Sequence, residues 1–461
     1  GSDGSIKLWR QDTRFFMPRI GIAWRPTDKW VVRMGGGYFD NIMHWNAYTI
    51  LNLNPPKSGS VFFQQVTDTA STIPVVAVDG NTYNVQTRKI RDTSRAITLN
   101  DPFLRNVGGI SDRAGNPVAT LYANPEFKDG DVWKWSFDIQ RELPFSTSLT
   151  IGYVGSKSSH VGSSIRNWNG ADPSPNTNAQ SRRPWQRFYD PATPELGVQG
   201  LSVVRFLDTY GNAFHQGLQI KLDKRYSSGI AFGLAYAFSK SHGDGEAGGN
   251  EGAEYQNPRV DRSDARGRFR FDQRHNLVAH YVWELPGQNM SNALRHVIGG
   301  WQTNGILSLR SGMPFRLTQS GNDLNTGGDS AIRPDLVGDP YLSNPNRKLW
   351  YNGSAFQRVT CRIPSRQDLC HFGNFGYNVL DSPGQTTMDF GLFKNFAITE
   401  RMKIQFRSEF FNAFNTPYFN APSGLSFSSV NAIVPDGARV GEIRSTRQDM
   451  RVIQFGLKLS F

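Results

Sequence analysis

Long apolar runs are missing from this sequence of 461 residues. Hydrophobic residues make up 38% of it and the mean hydropathy is −0.48. No stretch approaches the roughly 18 consecutive apolar residues of a membrane-spanning helix, so a transmembrane helix is excluded. A membrane β-barrel is not, because half of each barrel strand faces water and the loops are polar. Cysteine is almost absent. Cys361 and Cys370 are the only two, too few for a four-thiolate metal site, and no histidine pair has helical ligand spacing, so neither a metal nor any other cofactor is expected. A dense basic run is missing as well. The formal charge is +12, but Lys and Arg are scattered, which argues against a nucleic-acid partner. The chain opens "GSDGSIKLW", with no initiator Met and no signal peptide. That reads either as a removed start or as part of a longer chain.

What is present is alternation. Aromatics are 12% of the residues and Gly numbers 46, suited to aromatic girdles and to small positions on a polar wall. In the closing "MRVIQFGLKLSF", Ile453, Phe455, Leu457, Leu459 and Phe461 alternate with Gln454, Gly456, Lys458 and Ser460. This is a strand with one greasy and one wet face. Similar segments recur in pairs. Ile20, Ile22 and Trp24 precede the turn "RPTDK", and Trp30, Val32, Met34 and Tyr38 follow it. Trp133–Ile139 turns at "ELPFST" into Leu149–Tyr153, and Leu218–Leu222 turns at "RYSSG" into Ile230–Phe238. Strands near Asn276–Leu285 and Gly300–Ser311 flank "PGQNMSNALRHV", and Met388–Leu392 turns at "FAITER" into Met402–Phe410. With the terminal strand the count is eleven. Between pairs lie long polar stretches, about 40–130, 157–212, 241–270, 312–384 and 415–448.

Alternation alone does not separate a soluble sandwich or propeller from a membrane barrel, since the apolar face can meet a protein core or lipid. The strict alternation of short turns with long loops does favour the barrel, where short turns are periplasmic and long loops external. Trp and Tyr near strand ends fit interfacial belts. The expected fold is therefore an all-β, transmembrane antiparallel barrel domain over residues 1–461. Ile20, Phe137, Leu218, Leu234, Phe390 and Leu457 are expected to face lipid. Gln140, Lys221, Asp389, Lys403, Arg407, Glu409 and Lys458 are expected to face the lumen.

Several segments point to a known family. "PRIGIAWRP", "IGYVGSKSSH", "RHNLVAHYVWELP", "GGWQTNGILSLRSGMPF", "RPDLVGDP", "FGNFGYNVLDSPG", "MDFGLFKNFAITERMKIQFRSEFFNAFNTPYFNAP" and "RVIQFGLKLSF" resemble barrels of TonB-dependent receptors. Their order is most similar to the Oar-like group, which carries a carboxypeptidase-regulatory-like domain. The resemblance covers nearly all the strands and little of the loops. It implies a bacterial outer-membrane location and energy-coupled uptake of a glycan, peptide or metal chelate, with no enzymatic chemistry. It also implies that Phe461, with Leu459 and Leu457, is the aromatic end read by the insertion machinery. Such receptors have about 22 strands, so eleven correspond to the C-terminal half of a barrel, and an odd count does not close a single-chain bacterial barrel. The chain alone is not expected to form a closed pore. A plug, the remaining strands and the contact with the TonB complex would precede residue 1 or sit on another chain; no such plug is visible here. The alternative function is a surface scaffold or adhesion protein whose long loops bind partner proteins without transport. A soluble secreted β-protein is a third reading.

Few residues stand out as sites. Asp244, Glu246, Glu251 and Glu254 could hold Ca²⁺, but their spacing is not that of an EF-hand loop, and a solvated acidic loop is the plainer reading. His215, His275 and His280 lie in or near strands, where wall or girdle polarity is the default role. Lys403, Arg407, Asp389 and Glu409 are expected to pair with one another or with a plug. Aromatics in "SRRPWQRFYD" and "NPNRKLWYN" could stack on a ligand or pack loop on loop. Cys361 and Cys370 are expected to form a disulfide in an external loop, fixing that loop and resisting proteolysis, because Pro364 and the polar residues between them favour a compact turn in an oxidising place.

Overall fold

The computed structural model describes residues 16–41, 67–76, 82–90, 118–123, 128–165, 168–185, 188–189, 198–199, 201–244, 256, 265–287, 297–319, 323–327, 332–399, 402–429, 431–437 and 439–461. Eleven strands form one continuous path. They are β1 (Arg19–Thr27), β2 (Trp30–Asn41), β3 (Gly130–Leu143), β4 (Thr147–Ile165), β5 (Leu201–Ser227), β6 (Ile230–Asp244), β7 (His275–Glu284), β8 (Trp301–Arg310), β9 (Gln385–Ala397), β10 (Lys403–Phe411) and β11 (Val452–Ser460). Their order in the sheet is their order in the chain, and every neighbouring pair is antiparallel. Such a meander needs only local connections, which is why short turns suffice at one end. The β5–β6 turn shows the local cause. Ser228 and Gly229 both have positive φ, at 52° and 79°, the backbone of the two-residue turns that match strand twist.

The register gathers the alternation into two faces. Met34, Phe137, Tyr153, Leu218 and Phe238 are consecutive cross-strand partners on five strands. A second row runs Leu222, Leu234, Ala279, Leu307 and Met388 across β5 to β9. A third links Phe390, Phe410 and Ile453. Each apolar residue therefore meets another of the same face, the pairing that fixes register against a one-residue slip. On this face Trp135 lies over Gly155, where a Cβ would fall 2.3 Å from the indole; only glycine admits the ring there.

No described segment covers the apolar face. Ile20 is 71% exposed and Leu457 is 75% exposed. Its middle mixes aliphatic residues with Phe137, Phe238, Phe390 and Phe410, and Trp gathers towards both ends. Trp24, Trp30, Trp283 and Trp301 lie towards the short turns; Tyr38, Trp133 and Trp135 lie towards the long loops. That is the girdle arrangement of a membrane β-sheet. Arg141 lies among them near the turns and folds over the Trp30 ring, 4.8 Å from its centroid, keeping its charge at the interface while its stem covers apolar surface.

The strands outrun their alternating cores. β4 continues to Ile165 and β5 begins at Leu201, so the expected loop 157–212 shrinks to 166–200. β6 continues to Asp244, and Arg266–Arg268 pairs with its end, within the stretch 241–270 expected to be loop. These extensions stand above the apolar band, where neither face must be greasy and the alternation lapses. In the stretch expected to be loop over 40–130, β2 ends at Asn41 and β3 begins at Gly130. Between them Thr67–Val76 and Thr82–Ile90 form a ribbon, and Val118–Ala123 runs parallel to the start of β5. The stretches 312–384 and 415–448 contain folded structure described below. Most of "PGQNMSNALRHV" lies outside the described residues.

Leu234 sits in the second apolar row, and Arg there places a charge against whatever covers the face. Leu234→Arg is expected to destabilise the membrane-inserted sheet by about 2–4 kcal/mol near mid-bilayer. Denaturant titration of the protein folded into lipid vesicles measures this; unchanged stability contradicts the assigned face.

Candidate binding surface in the long loops

The buried hydrophobic side chains lie mostly in the loops, not in the sheet. One cluster joins Phe315, Leu317, Tyr351, Ala355, Phe356, Phe375, Leu380 and Leu425. The Phe356 ring meets Tyr351 and Phe375 edge-on at 5.9 and 5.0 Å, the geometry aromatic quadrupoles favour. Burial pushes the Tyr351 phenol well above its usual range, so it stays neutral, and its OH donates to the Ser423 carbonyl at 2.8 Å. In "NPNRKLWYN", then, Tyr351 packs loop on loop, and Trp350 donates its Nε1 to the Asp381 carbonyl at 2.8 Å. A second cluster joins Leu324, Ile332, Val359 and Cys361.

Charge is buried beside this second cluster. Asp323 receives Arg358 through Nε at 2.7 Å and Nη2 at 2.6 Å. Arg362 Nε lies 3.5 Å from the other carboxylate oxygen, and Gln319 Nε2 donates at 3.3 Å to the same oxygen as Arg358. A carboxylate taken out of water needs such partners. The Asp323 carbonyl accepts from Cys361 N–H at 2.9 Å, which ties the ion pair to the disulfide. Cys361 and Cys370 are bonded, with Cα atoms 4.4 Å apart, and Thr360 N–H donates to Leu369 O across the closed loop.

The loops are also tied to one another. The 168–185 segment docks on 323–327: Ala171 N–H donates to Thr326 O, Ser174 N–H to Leu324 O, and Asn325 Nδ2 to Ser174 O at 2.8 Å. Arg182 bridges the same junction, donating to Asp172 O, Asn176 O and Asn325 O. Elsewhere Arg268 joins Asp272 at 2.7 Å to Asp381 at 2.9 Å, and Asn378 Nδ2 donates to Arg268 O. At the junction of 168–185 with the disulfide loop lies a cleft of about 540 Å³, with Pro175 and Thr177 on one wall and Arg362, Pro364 and Gln367 on the other.

The residues singled out in sequence fall elsewhere. Lys221, Asp389, Lys403, Arg407, Glu409 and Lys458 lie on the face opposite the apolar rows. Of the two expected partners of Lys403, Arg407, Asp389 and Glu409, one another or a plug, the first is not seen among the described residues. Arg407 donates to Gln405 at 2.6 Å and sits 5.3 Å from the Phe393 ring; Asp389 accepts from Asn412 N–H. The cross-strand partner of Arg407 is Phe393 on one side and Gly456 on the other, so no carboxylate stands directly opposite. Lys221 pairs instead with Asp223 on its own strand at 2.9 Å. Asp244 accepts from Asn212 at 2.9 Å, while Glu246, Glu251 and Glu254 lie outside the described residues. His215 contacts Ser241 and His275 contacts Tyr236, each at 2.8 Å, and His280 covers Gly233. Among the described residues no group of three or more His, Cys, Asp or Glu is placed to hold a metal ion. The Asp323 network and the cleft were not anticipated. Their parts are remote in sequence, and no local motif marks them.

A family model described as "Outer membrane beta barrel domain" matches residues 1–454. The chain belongs to this outer-membrane β-barrel family. Its place is therefore the bacterial outer membrane, and the uncovered apolar face is the lipid-facing side of the barrel wall. No curated protein matches it in sequence. Solved structures similar to it include the outer membrane transporter YddB from Escherichia coli, with TM-score 0.39 and 8% identity over 94% of this chain and 39% of that one. The ferripyoverdine receptor of Pseudomonas aeruginosa gives 0.39 and 8% over 96% and 32%. The siderophore receptor PirA from Acinetobacter baumannii gives 0.38 and 8% over 96% and 41%. The chain spans well under half the length of each of these.

In this outer-membrane barrel protein the loops fold around a buried ion pair. Asp323→Asn leaves Arg358 buried beside a neutral amide and is expected to cost about 3–5 kcal/mol, confined to the loops. Hydrogen exchange should show faster exchange over 311–384 with the β3–β6 ladder unchanged. Uniform loss of protection, or none, contradicts this.

Proposed function

We propose that the chain is part of the wall and ligand-capturing surface of a TonB-dependent receptor of the Oar-like group, which takes up a ligand with energy supplied through TonB. The observation that carries this reading is the combination of a two-faced membrane sheet with a layer of folded, disulfide-closed loops at one end. Loops that only shield a strand end do not need their own core. A preorganised core holds a recognition surface in place and lowers the ordering cost of binding. The polar face, with Lys221, Asp389, Lys403, Arg407, Glu409 and Lys458, is the lumen side in this reading and faces a plug. The outer edges of β1 and β11 carry no neighbouring strand among the described residues. Lipid does not tolerate unpaired backbone groups, so further barrel strands, from the same or another chain, are the partners that these edges require. The family resemblance supplies the coupling to TonB. The scaffold or adhesion reading shares the fold and the loops and differs only in lacking transport.

Two measurements test this. Deletion of the gene in its host should leave compounds in the medium that the parent strain removes. Removal should return with the gene and stop on addition of a protonophore. Indistinguishable media, with altered attachment to surfaces or cells, would favour the scaffold. Separately, Phe461 is 95% exposed at the end of β11, beyond Leu457 and Leu459 on the lipid side, as an insertion signal requires. Deleting Phe461 is expected to lower the amount assembled in the outer membrane. Equal amounts of the two proteins in purified outer membranes would remove that role from Phe461.

A further inference from the structure

Towards the long loops the lipid-facing side of the wall turns basic. The register carries one row from Tyr38 through Trp133, Lys157, Phe214 and His242 to Arg268. The row beneath it runs Trp135, Gly155, Gln216 and Lys240. The next is the greasy row of Phe137, Tyr153, Leu218 and Phe238. Lys240 therefore stands two residues, about 7 Å, beyond Phe238, at the depth of lipid headgroups. Both lysines are exposed. Lys157 reaches over the Phe214 ring, with Nζ 5.8 Å from the centroid, and His242 stacks on the same ring at 5.3 Å. Neither lysine has a hydrogen-bonded or ion-paired partner among the described residues. The carboxylates around them are already engaged. Asp131 pairs with His160 at 2.9 Å, Asp244 lies 3.6 Å from Arg266, and Asp272 holds Arg268 at 2.7 Å. Asp40 stands two strands away from Lys157. Lysines on a wholly solvated surface need no partner. These two border hydrocarbon, where an anion that also brings acyl chains meets both the charge and the greasy rows beneath it. Between them lies the exposed amide of Gln216, a further donor. Two strand spacings and a two-residue offset set the lysine Cα atoms about 12 Å apart, so each can take its own phosphate.

We propose that Lys157 and Lys240, with Gln216 between them, bind the phosphates of a glycolipid of the lipid A class, whose acyl chains lie on the rows below Lys240. The long-loop end meets the outer leaflet, whose bulk lipid is a phosphorylated glucosamine disaccharide. The proposal takes from the preceding reading only that the long loops are external; transport plays no part in it.

Native mass spectrometry tests this on the protein purified from its host's outer membranes and stripped of lipid in mild detergent. The probes are bisphosphoryl lipid A, the same lipid with both phosphates removed, and dioleoylphosphatidylglycerol. Bisphosphoryl lipid A should bind at least about ten-fold more tightly than either other probe, because hydrogen bonds to charged groups each approach a factor of ten or more. Lys157→Gln combined with Lys240→Gln should abolish that margin. Lys157→Arg combined with Lys240→Arg should retain it, which separates lost charge from a damaged fold. Equal lipid A affinity in the native protein and the glutamine variant, or equal affinity with and without phosphates, overturns the proposal. So does an arginine variant as weak as the glutamine one, or displacement of lipid A by equimolar inorganic phosphate. A lysine-dependent preference for phosphatidylglycerol overturns it together with the external placement of the long loops. Loss of gene-dependent uptake as a finding, with lipid A still bound through the lysines, removes the transport reading and leaves this site.

Discussion

Everything in this structure depends on an apolar surface that no described protein segment covers. In water, rows such as Met34–Phe137–Tyr153–Leu218–Phe238 would be a large exposed patch of the kind soluble proteins avoid. In a bilayer the same rows meet their proper solvent, and the burden moves to the backbone. Hydrocarbon offers no partner to an N–H or C=O group, so each must be met by a neighbouring strand. The unbroken antiparallel order from β1 to β11 does this for every strand between the two edges. Short turns, alternating residues and aromatic ends follow from the same requirement.

With the sheet spending its apolar residues outward, the loops need another source of order. They build it in miniature: a Phe/Tyr/Leu cluster centred on Phe356, a second cluster around Val359, a buried Asp323–Arg358 pair and one disulfide. These devices reinforce each other. The backbone of Asp323 holds Cys361, its side chain holds Arg358 and approaches Arg362, and Arg362 lines the cleft. The buried ion pair and its multiply bonded partners therefore lie at the loop end, away from the apolar band. The sheet is the frame that carries them.

How much of this was legible follows from where periodicity applies. All eleven wall strands could be read from alternation, because a two-solvent environment writes itself residue by residue. Leu218, Ile220 and Leu222 cannot drift without turning Lys221 into lipid. The extensions of β4 beyond Tyr153 and of β5 before Leu218 could not be read in the same way, since above the membrane "VGSSI" and "LSVVRF" face no such demand. The loop cores left no trace either. Phe315, Tyr351, Phe375 and Leu425 meet through turns rather than through a repeating element. The cleft joins Thr177 to Gln367, a contact with no local signature. The charged wall residues lie on the face opposite the apolar rows, as the alternation reads, but do not pair with one another among the described residues. Alternation assigns a face, whereas pairing depends on register between strands, and register set Arg407 opposite Phe393 and Gly456.

The central claim is that one face of this sheet meets lipid and the other does not. Nitroxide labels placed singly from Ile453 to Leu459 in β11, in protein reconstituted into vesicles, measure it most directly through their accessibility to oxygen and to a water-soluble nickel chelate. The account predicts a period of two. Oxygen should dominate at 453, 455, 457 and 459, where Ile, Phe, Leu and Leu stand, and nickel at 454, 456 and 458. A flat profile along the strand, or the opposite phase, would contradict it.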